Sequence, residues 1–263
     1  MRNRKLEGQP IVLMITNNKG GGGKTSETLE IGCLLSEKYK TLIVDCDPQC
    51  NLSLYTDADL KEKNLKDVLD VNFEDISECI QHSESGFDVI AGNRQLVNCS
   101  KLYPDSDEEY IFQELFADMD YDFILLDSAP AQSLLSIIEL TGADYVIGIT
   151  ESDDGSLVGI RNIRQDINAI TKRRNPKLKY LGVVLNKYEN TNICKLAYQQ
   201  LEEMEDEIGC LPFKAKIRKS KASSEAKLAR MPVCIYDKKN NITKDNQALV
   251  KEIIKRIKED GRM

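Results

Sequence analysis

The chain has no tryptophan, one histidine and only 6% aromatic residues in its 263 positions. A single imidazole excludes a His-rich metal site and leaves a Ser–His–Asp triad without support. That histidine, His82, stands in the polar stretch QHSESG and reads as a surface residue. No pair of cysteines has CxxC spacing. Cys33, Cys46, Cys50, Cys79, Cys99, Cys194, Cys210 and Cys234 are scattered singly, and even Cys46 and Cys50 lack zinc-site spacing. They read as reduced and mostly buried thiols. No apolar run approaches the roughly twenty residues that a membrane span needs. The basic start MRNRKLEGQP lacks the apolar stretch of a signal peptide, so a cytosolic protein is expected. Internal repeats, low-complexity segments and linkers rich in Pro, Gly or Ser are also missing, and a single domain over residues 1–263 is expected. The net charge of −7 argues against a surface that coats nucleic acid everywhere, while leaving room for a local basic patch.

What is present is alternation. Hydrophobic residues make up 41% of the chain, enough for a sizeable core. Six short, nearly continuous apolar runs recur: Ile11–Ile15, Thr41–Val44, Phe87–Ile90, Phe123–Leu126, Tyr145–Ile149 and Tyr180–Leu185. Such runs suit parallel strands buried on both faces. Between them, Ser26–Tyr39, Ser133–Leu140 and Gly159–Ile170 carry helical periodicity. This predicts an α/β fold, a mainly parallel twisted sheet flanked by helices on both faces and joined by right-handed crossovers.

The first run leads into TNNKGGGGKTS and then a helix. Consecutive glycines let backbone N–H groups converge on an anion at a helix N-terminus, whose dipole favours phosphate. The motif predicts an ATP site in which Gly20, Gly21, Gly22, Gly23 and Ser26 cradle phosphates. Lys24 reaches the β- and γ-phosphates and Thr25 offers its hydroxyl to Mg²⁺. The second run ends TLIVDCDPQCN, where Asp45 and Asp47 point the same way from an extended chain. The strand YDFILLD places Asp127 at its tip, Walker B geometry facing Mg²⁺, with Asp122 at the opposite end of the strand and structural.

One departure is informative: the first glycine of the standard phosphate-loop pattern is replaced by Asn18, and the loop reads KGGGGKT. This resembles the deviant Walker A motif, KGGxGK[ST], of the ParA/MinD superfamily. The resemblance implies that Lys19 reaches across a dimer interface to the partner's nucleotide. DCDPQCN matches the family's DxDPQxN, which implies that Asp47 orients the attacking water and Asp45 supports the metal's outer shell. Position 50, usually glycine there, is Cys50 here. DSAP stands where family members often carry DxPP. FDVIAGNRQL, YLGVVLNKYENTN and KIRKSKASSEAKLARMPVCIYDKKN extend the likeness from about residue 10 to 257. It implies nucleotide contacts at Asn186, on the adenine, and at Pro212; a capping role for Asn186 is the alternative. The proline expected after Ile217 is Arg218, which leaves open whether Arg218 meets adenine or DNA.

Three branches of the superfamily compete. A metal-cluster or reductase ATPase needs cysteines after the Walker B strand, and DSAPAQSLLS has none. A MinD-type ATPase, which binds membrane and positions a cellular complex, would use Gln247–Lys258. That stretch puts Leu249, Val250, Ile253, Ile254 and Ile257 on one face but lacks a bulky Phe or Trp; a helix packed on the sheet is the other reading. A ParA-type partition ATPase is favoured by DPQxN, the SEA-like segment and a local charge anomaly. Lys214, Lys216, Arg218, Lys219 and Lys221, with Lys227 and Arg230, gather in an acidic chain, and Lys172, Arg173, Arg174, Lys177 and Lys179 form a second run. The first five are the candidate DNA-backbone contacts. This branch implies ATP-dependent homodimers on the nucleoid, non-specific DNA binding, and a ParB-like centromere-binding protein that stimulates hydrolysis.

Overall fold

In the computed structural model, which describes residues 6–17, 20–70, 75–99, 109–129 and 133–263, each of the six apolar runs lies on a strand. The strands are β1 (Ile11–Thr16), β2 (Thr41–Asp45), β3 (Ile80–His82), β4 (Asp88–Ile90), β5 (Phe123–Asp127), β6 (Tyr145–Thr150) and β7 (Lys179–Leu185). β3 has no apolar run behind it, because it is a short edge strand whose residues are half-buried or exposed. His82 lies there, exposed and 2.5 Å from the Asp88 carboxylate. Among the described residues the strand order is β3-β4-β2-β5-β1-β6-β7, parallel throughout except where β3 pairs with β4.

The described helices are α1 (Lys24–Ser36), α2 (Asn51–Tyr55), α3 (Leu65–Val68), α4 (Ile111–Ala117), α5 (Leu134–Gly142) and α6 (Asp154–Thr171). They continue with α7 (Asn192–Glu203), α8 (Glu205–Ile208), α9 (Lys221–Leu228), α10 (Val233–Tyr236) and α11 (Asn241–Glu259). Because side chains alternate along a strand, each central strand feeds two cores. Ile11, Leu13 and Ile15 pack with Leu29, Leu35, Leu249 and Ile253 of α1 and α11, while Val12 and Met14 join Ile138 and Ile163 of α5 and α6 on the other face. The apolar face of α11 is therefore inside: Leu249, Val250, Ile253 and Ile257 are buried against the α1 side of the sheet. This removes the residues that a membrane-surface helix would need. Among the described residues no helix is long and apolar enough to cross a membrane.

The register positions the site. Ile15 of β1 and Asp45 of β2 both lie opposite Asp127 of β5, so three strands end in one row. At the other end of β5, Asp122 accepts the Leu6 N–H at 2.6 Å and the Lys40 N–H at 2.8 Å, a structural role. None of the eight cysteines is in a disulfide, and all but the half-buried Cys210 are buried.

Candidate functional site

The chain leaves β1 at Thr16 and enters α1 at Lys24 through the glycine loop. Lys19 and Asn18 lie outside the described residues. Gly21 and Gly23 have φ of 80° and 97°, a left-handed backbone that side chains resist. At Gly23 a side chain is doubly excluded, since a Cβ would sit 2.1 Å from Asn186 Nδ2. The loop is braced from behind. Asn186 Nδ2 donates to the Gly22 carbonyl at 3.0 Å, and its Oδ1 accepts the Lys187 N–H at 2.7 Å. Lys187 Nζ donates to the Gly21 carbonyl at 2.8 Å and pairs with Glu151 at 2.9 Å. These bonds hold the Gly21 and Gly22 carbonyls on this side of the loop. Lys24 is buried beneath it, and Thr25 stands close enough to Asp127 to favour its charged form.

The carboxylate turn is built by a residue not singled out from the sequence. Ser53, in α2, donates its N–H at 2.8 Å and its hydroxyl at 2.6 Å to Asp45 Oδ2, and Asp45 Oδ1 accepts the Asp47 N–H at 3.2 Å. Asp45 is thus engaged through both oxygens and shapes the turn that presents Asp47; its expected support of a metal's outer shell stays a proposal. Asp47 in turn accepts the Gln49 N–H at 2.9 Å. Cys50 follows with φ 54°, so the backbone keeps the left-handed conformation that suits glycine although the residue is cysteine.

Asp127 is fully buried; Oδ1 accepts from Thr28 Oγ1 at 3.3 Å, while Oδ2 has no partner among the described residues. Burial, with the Asp45 charge adding, pushes its carboxyl up to about 8 against the opposing effects of Thr25 and Lys24. Burial also raises Asp45, to about 6, against the Ser53 hydrogen bonds. Glu139 of α5 is buried with neither oxygen partnered among the described residues, and burial, then Asp127 and Asp47, pushes it far up. An unpartnered carboxylate oxygen beside a raised carboxyl is the environment a cation relieves. Thr25 and Asp127 therefore fit Mg²⁺. No group of three or more His, Cys, Asp or Glu among the described residues could cage a metal, and nucleotide-bound Mg²⁺ needs none, since phosphates and waters fill most of its shell.

Beyond the loop opens a cleft of about 620 Å³, lined among others by Gly23, Ser26, Asn186, Ser220 and Lys227. Glu27 lines it too, 2% exposed, with Oε2 unpartnered among the described residues. Burial and then Glu30 raise Glu27 to about 8. Pro212 is a correction: it is buried beside Val183 in mid-β7 and does not line the cleft, about 10 Å along the strand from Asn186. Asn186 lines the cleft, but its amide already serves the loop and Lys187.

The two basic runs separate. Arg218, Lys219 and Lys221 stand on the rim of the cleft, whereas Lys172 to Lys177 precede β7 and Lys179 opens it, at the opposite end of the sheet. Several of these charges are already occupied. Arg218 makes a two-pronged pair with Asp245 at 2.6 and 2.7 Å, Lys219 lies 3.5 Å from Glu189, and Lys216 stacks 3.6 Å from the Tyr198 ring centroid. Lys214 and Lys221 are exposed. Of the residues missed from sequence, Lys187 had a signal, since it follows Asn186 directly. Ser53, Thr28 and Glu139 had none, being eight residues or more from the carboxylates they serve or adjoin.

A family model described as an AAA domain matches residues 11–180. An uncharacterised protein of Methanocaldococcus jannaschii is 29% identical over 94% of this chain and 100% of its own length. The chromosome partitioning protein ParA of Caulobacter vibrioides is 27% identical over 93% of this chain and 94% of its own. Among solved structures, an ATP complex of McdA from Cyanothece superposes with a TM-score of 0.82 at 18% identity, covering 94% of this chain and 97% of that one. With the braced glycine loop, the row of strand-end carboxylates and these matches together, the chain belongs to the AAA domain family, as a ParA/MinD-type P-loop ATPase.

Proposed function

We propose that the chain hydrolyses ATP with Mg²⁺, dimerises when ATP is bound, binds DNA without sequence preference, and drives partition of a plasmid or chromosome, with hydrolysis stimulated by a ParB-like centromere-binding protein. The observation that carries this reading is the register that sets the glycine loop, Asp45 and Asp127 in one row, with Asp47 presented two residues on. Loop N–H groups and Lys24 hold the β- and γ-phosphates. Thr25 and Asp127 would hold Mg²⁺, which would neutralise charge on the phosphates. Asp47 orients water for in-line attack, and Lys19 supplies charge to the partner's nucleotide. Dimerisation doubles the basic rim Lys214–Lys221, so two weak patches act together on phosphate. Since Arg218 is held by Asp245, Lys219 and Lys221 carry more of that contact.

The test is mobility shift over a salt series with ATP, ADP and no nucleotide, beside a liposome control. Binding to all DNA sequences only with ATP, weakened evenly in a Lys219→Ala/Lys221→Ala variant with a shallower salt slope, supports the reading. Equal binding in all three states, or liposome binding instead, removes it.

A further inference from the structure

Lys187 has a backbone φ of 50°, in the left-handed region where glycine or asparagine is the usual occupant. Its neighbours explain the conformation. Just before it, the Asn186 N–H donates to the Thr150 carbonyl at 2.7 Å. Just after it, the Tyr188 N–H donates to the Ile217 carbonyl at 2.8 Å, and the Tyr188 carbonyl accepts the Lys219 N–H at 3.1 Å. The chain is pinned on both sides, and backbone strain persists where the surroundings over-determine it. These anchors fix the backbone, but they do not ask for a lysine. What the side chain adds is two contacts: Nζ donates to the Gly21 carbonyl at 2.8 Å and to Glu151 Oε1 at 2.9 Å. The second is a partly exposed ion pair, of the sort that adds little stability. The first reaches the phosphate loop from a position 166 residues further along the chain.

That contact has a directional consequence. A trans peptide unit is planar, with its C=O and N–H pointing opposite ways. Holding the Gly21 carbonyl toward Lys187 therefore aims the Gly22 N–H away from Lys187. Asn186 Nδ2, on the Gly22 carbonyl at 3.0 Å, does the same for the Gly23 N–H. Two successive N–H groups set in this way, beside glycines with φ of 80° and 97°, are the parts of an anion-binding nest. They directly precede the first turn of α1, whose own N–H groups lack helical partners and favour an anion. A peptide unit between two glycines turns over at little cost, so the loop needs a directing group from outside. Resting on the nucleotide-site reading above, we propose that Lys187 is a positioning residue. Its bond to the Gly21 carbonyl keeps the Gly22 N–H turned toward the nucleotide's phosphates, and Glu151 holds the lysine in place.

Displacement of a fluorescent ADP analogue by ADP and by inorganic pyrophosphate tests this, because pyrophosphate reads the phosphate contacts apart from base and sugar. Lys187→Met keeps the stem and loses the donor. It is expected to weaken ADP and pyrophosphate alike, on the order of tenfold. Lys187→Arg, which can still donate, restores most of the loss. Lys187→Gly separates positioning from stability. It relieves the left-handed backbone, so its urea midpoint should equal or exceed that of the unaltered protein while ADP still binds about tenfold more weakly. Glu151→Ala leaves the bond to Gly21 available and is expected to weaken ADP less than Lys187→Met does. Equal ADP affinity in Lys187→Met overturns the proposal. So does weakening confined to ADP, which assigns the lysine to the base or sugar. Tighter ADP binding in Glu151→Ala also overturns it, since the freed lysine then meets the phosphate directly. An unaltered protein that binds neither ligand removes the nucleotide-site reading and this proposal with it. Should Lys187→Met not fold, Lys187→Gly carries the same comparison.

Discussion

The two ends of the sheet treat charge in opposite ways. At the amino-terminal ends of the strands, carboxylates are matched. Asp122 accepts two backbone N–H groups, and Asp144 accepts the Val12 N–H at 2.9 Å and Arg262 at 3.0 Å. Asp260 accepts the Tyr145 hydroxyl at 2.6 Å and pairs with Lys179. At the carboxyl ends, Asp127, Glu139 and Glu27 keep oxygens without partners among the described residues. A buried polar group without a partner costs about 1–3 kcal/mol. One end is therefore arranged for stability. The other holds a local instability that a bound cation or nucleotide would relieve, the pattern expected where local rules give way to function.

The sharpest way to break this comparison is to remove chemistry without removing structure. Asp47→Ala should lower ATP turnover on the order of a hundredfold or more while ATP-bound dimers accumulate, measured by phosphate release beside light scattering. At the matched end the reverse holds. Asp122→Ala should lose about 2–3 kcal/mol of stability in urea titration, because two backbone donors lose their acceptor, with ADP affinity unchanged.

Asp127→Asn should stabilise the ligand-free protein by about 1–2 kcal/mol and abolish Mg²⁺-dependent hydrolysis. It should also flatten the pH dependence. With a folded pKa near 8 against 3.8 for the ordinary carboxyl, the folded protein keeps a proton that the unfolded chain has released. The stability from this group is thus complete below about pH 4 and declines as pH rises toward 8. Urea midpoints at several pH values should show that slope in the unaltered protein and less of it in the variant. The smallest effect is expected at Cys50, where glycine would relieve the left-handed backbone and add about 0.5–1 kcal/mol.

Much of this arrangement was legible in the sequence because its signals are local. The six buried runs, the glycine loop and the strand-tip Asp127 each declare themselves within a few residues. β3 does not, since three half-buried or exposed residues on an edge carry no pattern. Glu27 and Glu139 are invisible for a different reason. In sequence each is one carboxylate on a helix, indistinguishable from a solvated face, and only the packing of α9, α11 and the strand ends buries them. The basic segment was readable as charge, but Asp245 and Tyr198, which hold Arg218 and Lys216, come from other helices. Pro212 failed by position along β7, which composition does not record.

Glu30, on the phosphate-loop helix, accepts the backbone N–H groups of Val233 and, at 3.1 Å, Cys234. The helix that opens the nucleotide site is thus completed by residues synthesised some two hundred positions later. On a ribosome adding about 5–20 residues per second, α1 waits on the order of ten seconds or more for α10 and α11 to emerge. During that interval its inner face, Leu29, Leu34 and Leu35, lacks the cover it has in the finished fold. Ligand competence therefore arrives late in translation, and a nascent chain stalled before Val233 is expected to occupy chaperones rather than ATP.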